Sequence, residues 1–182
     1  MARARQLDPL SLAILSDTCK IYHLARRYPE AVRWCEKAIE MDPAFRRAHA
    51  ELAGVYMSAG NAAAAMRETQ EMMKSGEQPF DRLSLVGTRA MTGDAAARQE
   101  LAHELETSAA APFLTRAGGY IFLENYPRAL DVLQRMVEQR DLGVVALKTH
   151  PMFDPLRSDP RFQSLLRRTG LQTASDGRWR FP

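Results

Sequence analysis

The chain has 182 residues, of which 46% are hydrophobic and 26% charged, with a net charge of +3; these values fit one globular domain or a short repeat array. Its longest apolar runs are far shorter than the roughly 20 residues of a membrane helix, and the start, MARARQLDP, lacks the apolar stretch of a signal peptide. Two cysteines are too few for a disulfide scaffold, so we expect a cytoplasmic protein.

The positive charge is not spread evenly along the chain. Residues 1–50 carry +3, residues 51–110 carry −4, and residues 111–182 carry +4. A nucleic-acid-binding protein needs a continuous basic surface, and the acidic middle interrupts it. Nucleic-acid binding is therefore a minor alternative, carried by the basic cluster Arg157–Arg180, in which Arg178-Trp179-Arg180-Phe181 combines cations with aromatic rings.

The stretch Leu12–Pro43 predicts two short helices joined by a tight turn. Its apolar and small residues recur at intervals of three or four, which places each set on one helical face: Leu15, Cys19 and Tyr22, then Ala31, Cys35 and Ala38. Pro29 suits the start of the second helix, where its missing N–H costs nothing. The two sets of residues are expected to face each other in a helix pair.

The same pattern returns along the chain. Pro9 and Pro43 are 34 residues apart, and Tyr28-Pro29-Glu30-Ala31 recurs as Tyr126-Pro127-Arg128-Ala129. This period, together with small, aromatic and alanine positions in each copy, resembles the tetratricopeptide repeat (TPR) family. The resemblance implies an all-α fold, a TPR-type α-solenoid of antiparallel helix pairs with a C-terminal capping helix.

We expect the TPR array to occupy residues 1–145, with a partial repeat over 1–9 and repeats from about 12, 46, 79 and 110. The third copy is degenerate, because Arg89 replaces its aromatic residue. This start in mid-repeat predicts that the sequence is a fragment of a longer protein or has a misassigned gene start. The alternative is a genuine short start. Residues 146–171 are expected to form the capping segment and residues 172–182 a flexible tail.

Local signals place the capping helix near residue 160. Asp159 is a suitable N-cap, Pro160 suits the first helical position, and Gly170 suits the position after the last turn. The motif Phe153-Asp154-Pro155-Leu156-Arg157, followed by Asp159-Pro160, is similar to the closing segment of TPR regions in multidomain bacterial regulators. That resemblance implies a place within a larger regulatory protein and no activity.

The search for catalytic chemistry finds no catalytic residues, metal ligands or cofactor site. His103-Glu104 begins like a zinc-protease motif, but Thr107 stands where the second histidine is required. Cys19 and Cys35 lie on opposing faces of one helix pair. Their packing predicts two buried thiols, with a redox switch as the alternative. We therefore expect no enzymatic activity.

The TPR resemblance implies a concave groove lined by the first helix of each pair, and helical spacing predicts its residues. The predicted partner-binding residues are Ser16, Lys20, His23, Arg47, Met57, Leu83, Met91, Leu114 and Ile121. One end of this groove would be basic and the other apolar, which suits a peptide or helix with an acidic end and an apolar end. The expected function is a protein-protein interaction scaffold, and the alternative is a self-association module.

Overall fold

The structure, a computed structural model, describes residues 2–76, 78, 81–108 and 110–170. Within these ranges it is built from helices and turns and contains no strand. Several sequence predictions fall on residues outside the described ranges: the start of the third repeat at Pro79, the tail 172–182 and the basic residues Arg178 and Arg180. The predicted all-α fold of antiparallel helix pairs is confirmed.

The α-helices follow one another in short segments separated by turns. Their bounds are α1 Ala2–Leu7, α2 Leu12–Leu24, α3 Tyr28–Met41, α4 Arg46–Ser58, α5 Ala62–Lys74, α6 Asp81–Met91, α7 Ala95–Thr107, α8 Phe113–Phe122, α9 Tyr126–Glu138, α10 Ala146–Thr149 and α11 Pro160–Arg168. Two 3₁₀ helices, Leu142–Val145 and Pro151–Leu156, lie between α9 and α11.

Side-chain caps explain where several of these helices begin. The side chain of Asn61 accepts a hydrogen bond from the Ala64 N–H at 3.1 Å and so caps the start of α5. At α11 the Asp159 carboxylate accepts from the N–H of Arg161 at 2.7 Å and from that of Phe162 at 3.3 Å. Gly170, after the last turn of α11, has a φ of +69°, which glycine adopts without strain. Both predicted ends of this helix are confirmed.

The contacts divide the chain into two compact units, residues 1–99 and 100–182. In the first unit α2 packs on α3 and α4 on α5, and the pairs join where α3 meets α4 and α5 meets α6. One cluster of its core lies between α2, α3 and α4; its buried members are Cys19, Ala31, Cys35, Leu52 and Val55. The small side chain of Ala31 lets the helix axes approach closely at this point.

The second unit is organised around the pair α8 and α9. The 3₁₀ helix Pro151–Leu156 packs on α8, while α11 and the 3₁₀ helix Leu142–Val145 pack on α9. Phe153 and Phe162 are both fully buried, with ring centroids 5.8 Å apart. Aromatic side chains thus fill the core between the pair and the segment that follows it.

The two cysteines differ from the sequence prediction. Cys19 and Cys35 are both fully buried, as predicted, but they are joined by a disulfide bond. Their Cα atoms are 5.4 Å apart, which is within the range that a disulfide spans. The prediction of two buried free thiols, which rested on the packing of the helix pair, is therefore corrected: both sulfurs are buried, but they are bonded to each other.

Candidate functional site: the inner face of α2 and α4

The candidate site is the exposed side of α2 and α4, here called the inner face and defined by Asp17, Lys20, Arg47, Ala50, Glu51 and Gly54. Two ion pairs cross between the helices. The guanidinium of Arg47 donates to the Asp17 carboxylate, and the Lys20 ammonium lies 3.6 Å from the Glu51 carboxylate. Each cation of the predicted basic end thus has an anionic partner on the neighbouring helix.

Glu51 is much more buried than the other three members of these ion pairs. The side chains of Asp17 and Arg47 are each 45% exposed and that of Lys20 is 50% exposed, whereas that of Glu51 is only 18% exposed. Burial raises the pKa of the Glu51 carboxyl, and the nearby Lys20 and Arg47 cations oppose that rise. The charge of Glu51 therefore costs the fold free energy.

This shift predicts a pH dependence of stability. A carboxyl group whose folded-state pKa is raised destabilises the fold as the pH rises from its ordinary pKa through its folded-state pKa. Glu51→Gln removes this cost, so the variant is expected to melt at a higher temperature than the wild type above that window and at the same temperature below it. The loss of the attraction to Lys20 is already included, because the net shift of the Glu51 pKa is upward. Thermal melts between about pH 4 and pH 8 measure the difference.

Glu30→Gln provides a control of opposite sign. A hydrogen bond from Arg27 lowers the pKa of Glu30, so its stabilisation is present above the ordinary pKa and is lost as the pH falls through the folded-state pKa. Because the pair with Arg27 is exposed, this variant is expected to melt only slightly below the wild type at neutral pH and to converge with it in acid. Equal melting of Glu51→Gln and the wild type across the whole range would contradict the cost assigned to Glu51.

Between the ion pairs the inner face carries small residues. Ala50 is exposed and Gly54 partly exposed. A Cβ at Gly54 would lie 3.5 Å from His23 Cε1, an ordinary contact. His23 itself is 2% exposed and its Nε2 lies 2.8 Å from the Ser58 hydroxyl, so it joins α2 to α4 beneath the surface. This part of α4 leaves its backbone open to close approach.

The predicted partner-binding residues occupy three kinds of place. Lys20 and Arg47 are exposed and lie together on the inner face. Partly buried positions hold Met57, Met91 and Leu114. Four side chains are buried and offer little surface to a partner: Ser16, His23, Leu83 and Ile121. Ser16 is fully buried, and its hydroxyl has no hydrogen-bond partner within the described part of the chain.

In the second unit the predicted groove residue Leu114 and the nearby Gly118, both on α8, face the segment that follows α9. A Cβ at Gly143 would lie 3.2 Å from Leu114 Cδ1 and Cγ, and a Cβ at Gly118 would lie 2.6 Å from Met152 Cε. The chain itself therefore covers these positions of α8. Leu114 and Gly118 pack as core neighbours of the segment rather than as an open surface.

Sequence reasoning missed the residues that organise the inner face. Asp17 and Glu51 are its carboxylates, and each lies within three or four residues of a predicted cation on the same helix. Arg46 was also missed: its guanidinium donates to the carbonyl oxygens of Met72 at 2.8 Å and Gly76 at 2.9 Å and to the Asp81 carboxylate. It holds the start of α4 against the end of α5 and the start of α6.

The described residues contain neither a metal site nor a membrane-spanning helix. Within residues 2–76, 78, 81–108 and 110–170, no group of three or more His, Cys, Asp or Glu side chains is placed to hold a metal ion. No helix of these ranges is both long and apolar enough to cross a membrane.

Comparison with known proteins identifies the repeats. The family model described as tetratricopeptide repeat matches residues 22–83, from the last turns of α2 to the first turn of α6. No significant match was found among curated proteins or among solved structures. The matched segment contains the pair α4 and α5, most of the inner face and the Arg46 contacts. The match covers 62 of the 182 residues, so it identifies tetratricopeptide repeats within residues 22–83, in agreement with the helix pairs seen there.

Proposed function

We propose that the protein is a non-enzymatic scaffold that binds a peptide or a helix of another protein on the inner face. Tetratricopeptide repeats generally mediate protein-protein interaction. The proposal rests on one observation. The α4 backbone is open at Ala50 and Gly54, and charged side chains that are held in ion pairs lie beside it. Small residues allow close approach of a partner's chain, and charges already held in place bind without the entropic cost of ordering them.

The ion pairs refine the chemistry of the partner. Because Lys20 and Arg47 each have a carboxylate partner, the inner face favours uncharged partner residues over Ala50 and Gly54. Polar groups of the partner would reach the exposed edges of the Asp17–Arg47 pair. A strongly acidic partner segment would have to compete with Asp17 and Glu51 for the same cations.

We also propose that these repeats serve a larger bacterial regulatory protein in the cytoplasm. The support is the similarity of the segment Phe153–Arg157, with Asp159 and Pro160, to the closing segments of TPR regions in such regulators. In that segment Phe153 and Leu156 are buried, and Arg157 pairs with Asp154. The DNA upstream of the first codon tests this proposal, because a continuing reading frame should encode a winged-helix or kinase domain.

A matched pair of alanine substitutions tests the inner face. Ala50→Arg places a long cation over the open strip of α4, while Ala63→Arg makes the same change at an exposed position of α5. We expect Ala50→Arg to reduce the capture of specific proteins from cells of the source organism by about tenfold, a change of about 1.4 kcal/mol in binding. Ala63→Arg should capture as the wild type does. Quantitative mass spectrometry of the captured proteins provides the measurement.

Equal capture by the wild type and both variants would contradict the assignment of the inner face. Self-association is the competing function, and exposed apolar side chains favour it: Leu7 is 77%, Leu10 70% and Ile21 48% exposed. Sedimentation velocity of the same three proteins separates the two functions. A concentration-independent monomer supports the scaffold, whereas a dimer of the wild type and of both variants supports self-association.

A further inference from the structure

The Cys19–Cys35 disulfide lies at the junction of three helices. Cys19 belongs to α2 and Cys35 to α3, and the residues packed with them include Leu52 and Val55 of α4. The bond thus ties the first helix pair together at the surface on which the second pair packs. The two cysteines are 16 residues apart in sequence, so the bond closes a loop that contains the whole turn between α2 and α3.

This crosslink acts on the part of the chain that carries the inner face. Asp17 and Lys20 flank Cys19 on α2, and their partners Arg47 and Glu51 lie on α4. A bond that fixes α2 against α3 also holds Asp17 and Lys20 in reach of α4. The crosslink therefore helps to hold Asp17 and Lys20 in place on the inner face, whichever partner that face binds.

Reduction of this disulfide is limited by the burial of its two sulfurs. Reduction by a dithiol adds two electrons and two protons to the disulfide. A reductant thiolate attacks one sulfur to form a mixed disulfide and releases the other cysteine as a thiol. The second reductant thiol then frees the first cysteine and leaves the reductant as a cyclic disulfide. Since both sulfurs are fully buried, attack requires α2 and α3 to separate first.

We propose that Cys19–Cys35 is a redox-dependent staple that gives the first unit two covalent forms of different stability. In an oxidising environment the helix pair is crosslinked; in a reducing one the same pair folds with two buried thiols and melts at a lower temperature. The burial of both sulfurs makes the oxidation state slow to change in the folded protein. The inference does not depend on the proposed partner-binding function.

Thiol labelling and thermal melting of the whole chain test the proposal. Protein purified without reductant and denatured is expected to show no thiol that reacts with iodoacetamide, and both cysteines should react after dithiothreitol treatment. Reduction is expected to lower the melting temperature by roughly 6–12 °C, the shift that loss of a crosslink of this loop length causes in a chain of this size. The double variant Cys19→Ala, Cys35→Ala should melt at one temperature with or without dithiothreitol.

Three results would overturn the proposal. The first is two labelled thiols in the unreduced, denatured wild type. The second is a wild-type melting temperature that dithiothreitol leaves unchanged. The third concerns burial: dithiothreitol should reduce the native protein at least about tenfold more slowly than the protein in guanidinium chloride, because the native sulfurs are reached only through opening. Equal rates would show that the bond is accessible.

Discussion

Replacing Phe153 with alanine is expected to lower the free energy of unfolding by about 3–5 kcal/mol. The ring is fully buried, and it packs beside the ring of Phe162, whose centroid is 5.8 Å away, and that of His150, 6.2 Å away. Removing it leaves a cavity beside Phe162 that the surrounding side chains fill only in part. Urea unfolding, followed by circular dichroism, measures the change.

Two controls make the Phe153 result specific. Phe153→Leu keeps most of the apolar volume and is expected to cost less than about 1.5 kcal/mol. Leu142→Ala removes apolar atoms from a side chain that is 88% exposed, so it should change stability by no more than about 0.5 kcal/mol. A Phe153→Ala cost no larger than that of Leu142→Ala would mean that the segment after α9 is not part of the core.

Arg46→Met is expected to destabilise the first unit by about 3 kcal/mol, because it removes the counter-charge of a buried carboxylate. The Asp81 side chain is 7% exposed, and besides Arg46 it accepts a hydrogen bond from the Gln78 N–H at 2.7 Å. The substitution also leaves the carbonyl oxygens of Met72 and Gly76 without the Arg46 donor. The free energy of unfolding in urea measures the loss.

The double variant Arg46→Met, Asp81→Asn separates charge from packing. Asparagine keeps an oxygen that accepts from the Gln78 N–H but carries no charge to bury. The double variant is therefore expected to be more stable than Arg46→Met alone. If the single substitution costs less than about 1 kcal/mol, or if Asp81→Asn adds to its cost, the buried carboxylate does not depend on Arg46 as described.

The parts of the fold that the sequence predicted correctly depend on local chemistry. Three- and four-residue spacing identified the buried faces of α2 and α3, because helical periodicity is a property of neighbouring residues. The cap Asp159 was predictable for the same reason, since a side chain that bonds to an N–H two or three residues later needs no distant partner. The turn of Tyr28 and Pro29 recurs at Tyr126 and Pro127, and both pairs begin helices.

The parts that were missed depend on distant residues. Periodicity placed Lys20 and Arg47 on an exposed side, but it could not show that Glu51 and Asp17 approach them across the gap between two helices. It also could not distinguish thiols from a disulfide at Cys19 and Cys35, because that outcome is set by the distance between two helix axes. Ser16 and His23 were assigned to an open groove, although neighbouring helices bury them.

The covered face of α8 determines where a further helix pair could be added to the second unit. A TPR array grows when each new helix pair stacks on the exposed surface of the last pair. In the second unit the segment 142–156 already packs on α8 and α9, with Met152 against Gly118 and Gly143 against Leu114. An engineered helix pair added to this unit would have to enter between Glu138 and Leu142, so that the segment 142–156 could pack on the new pair in place of α8 and α9.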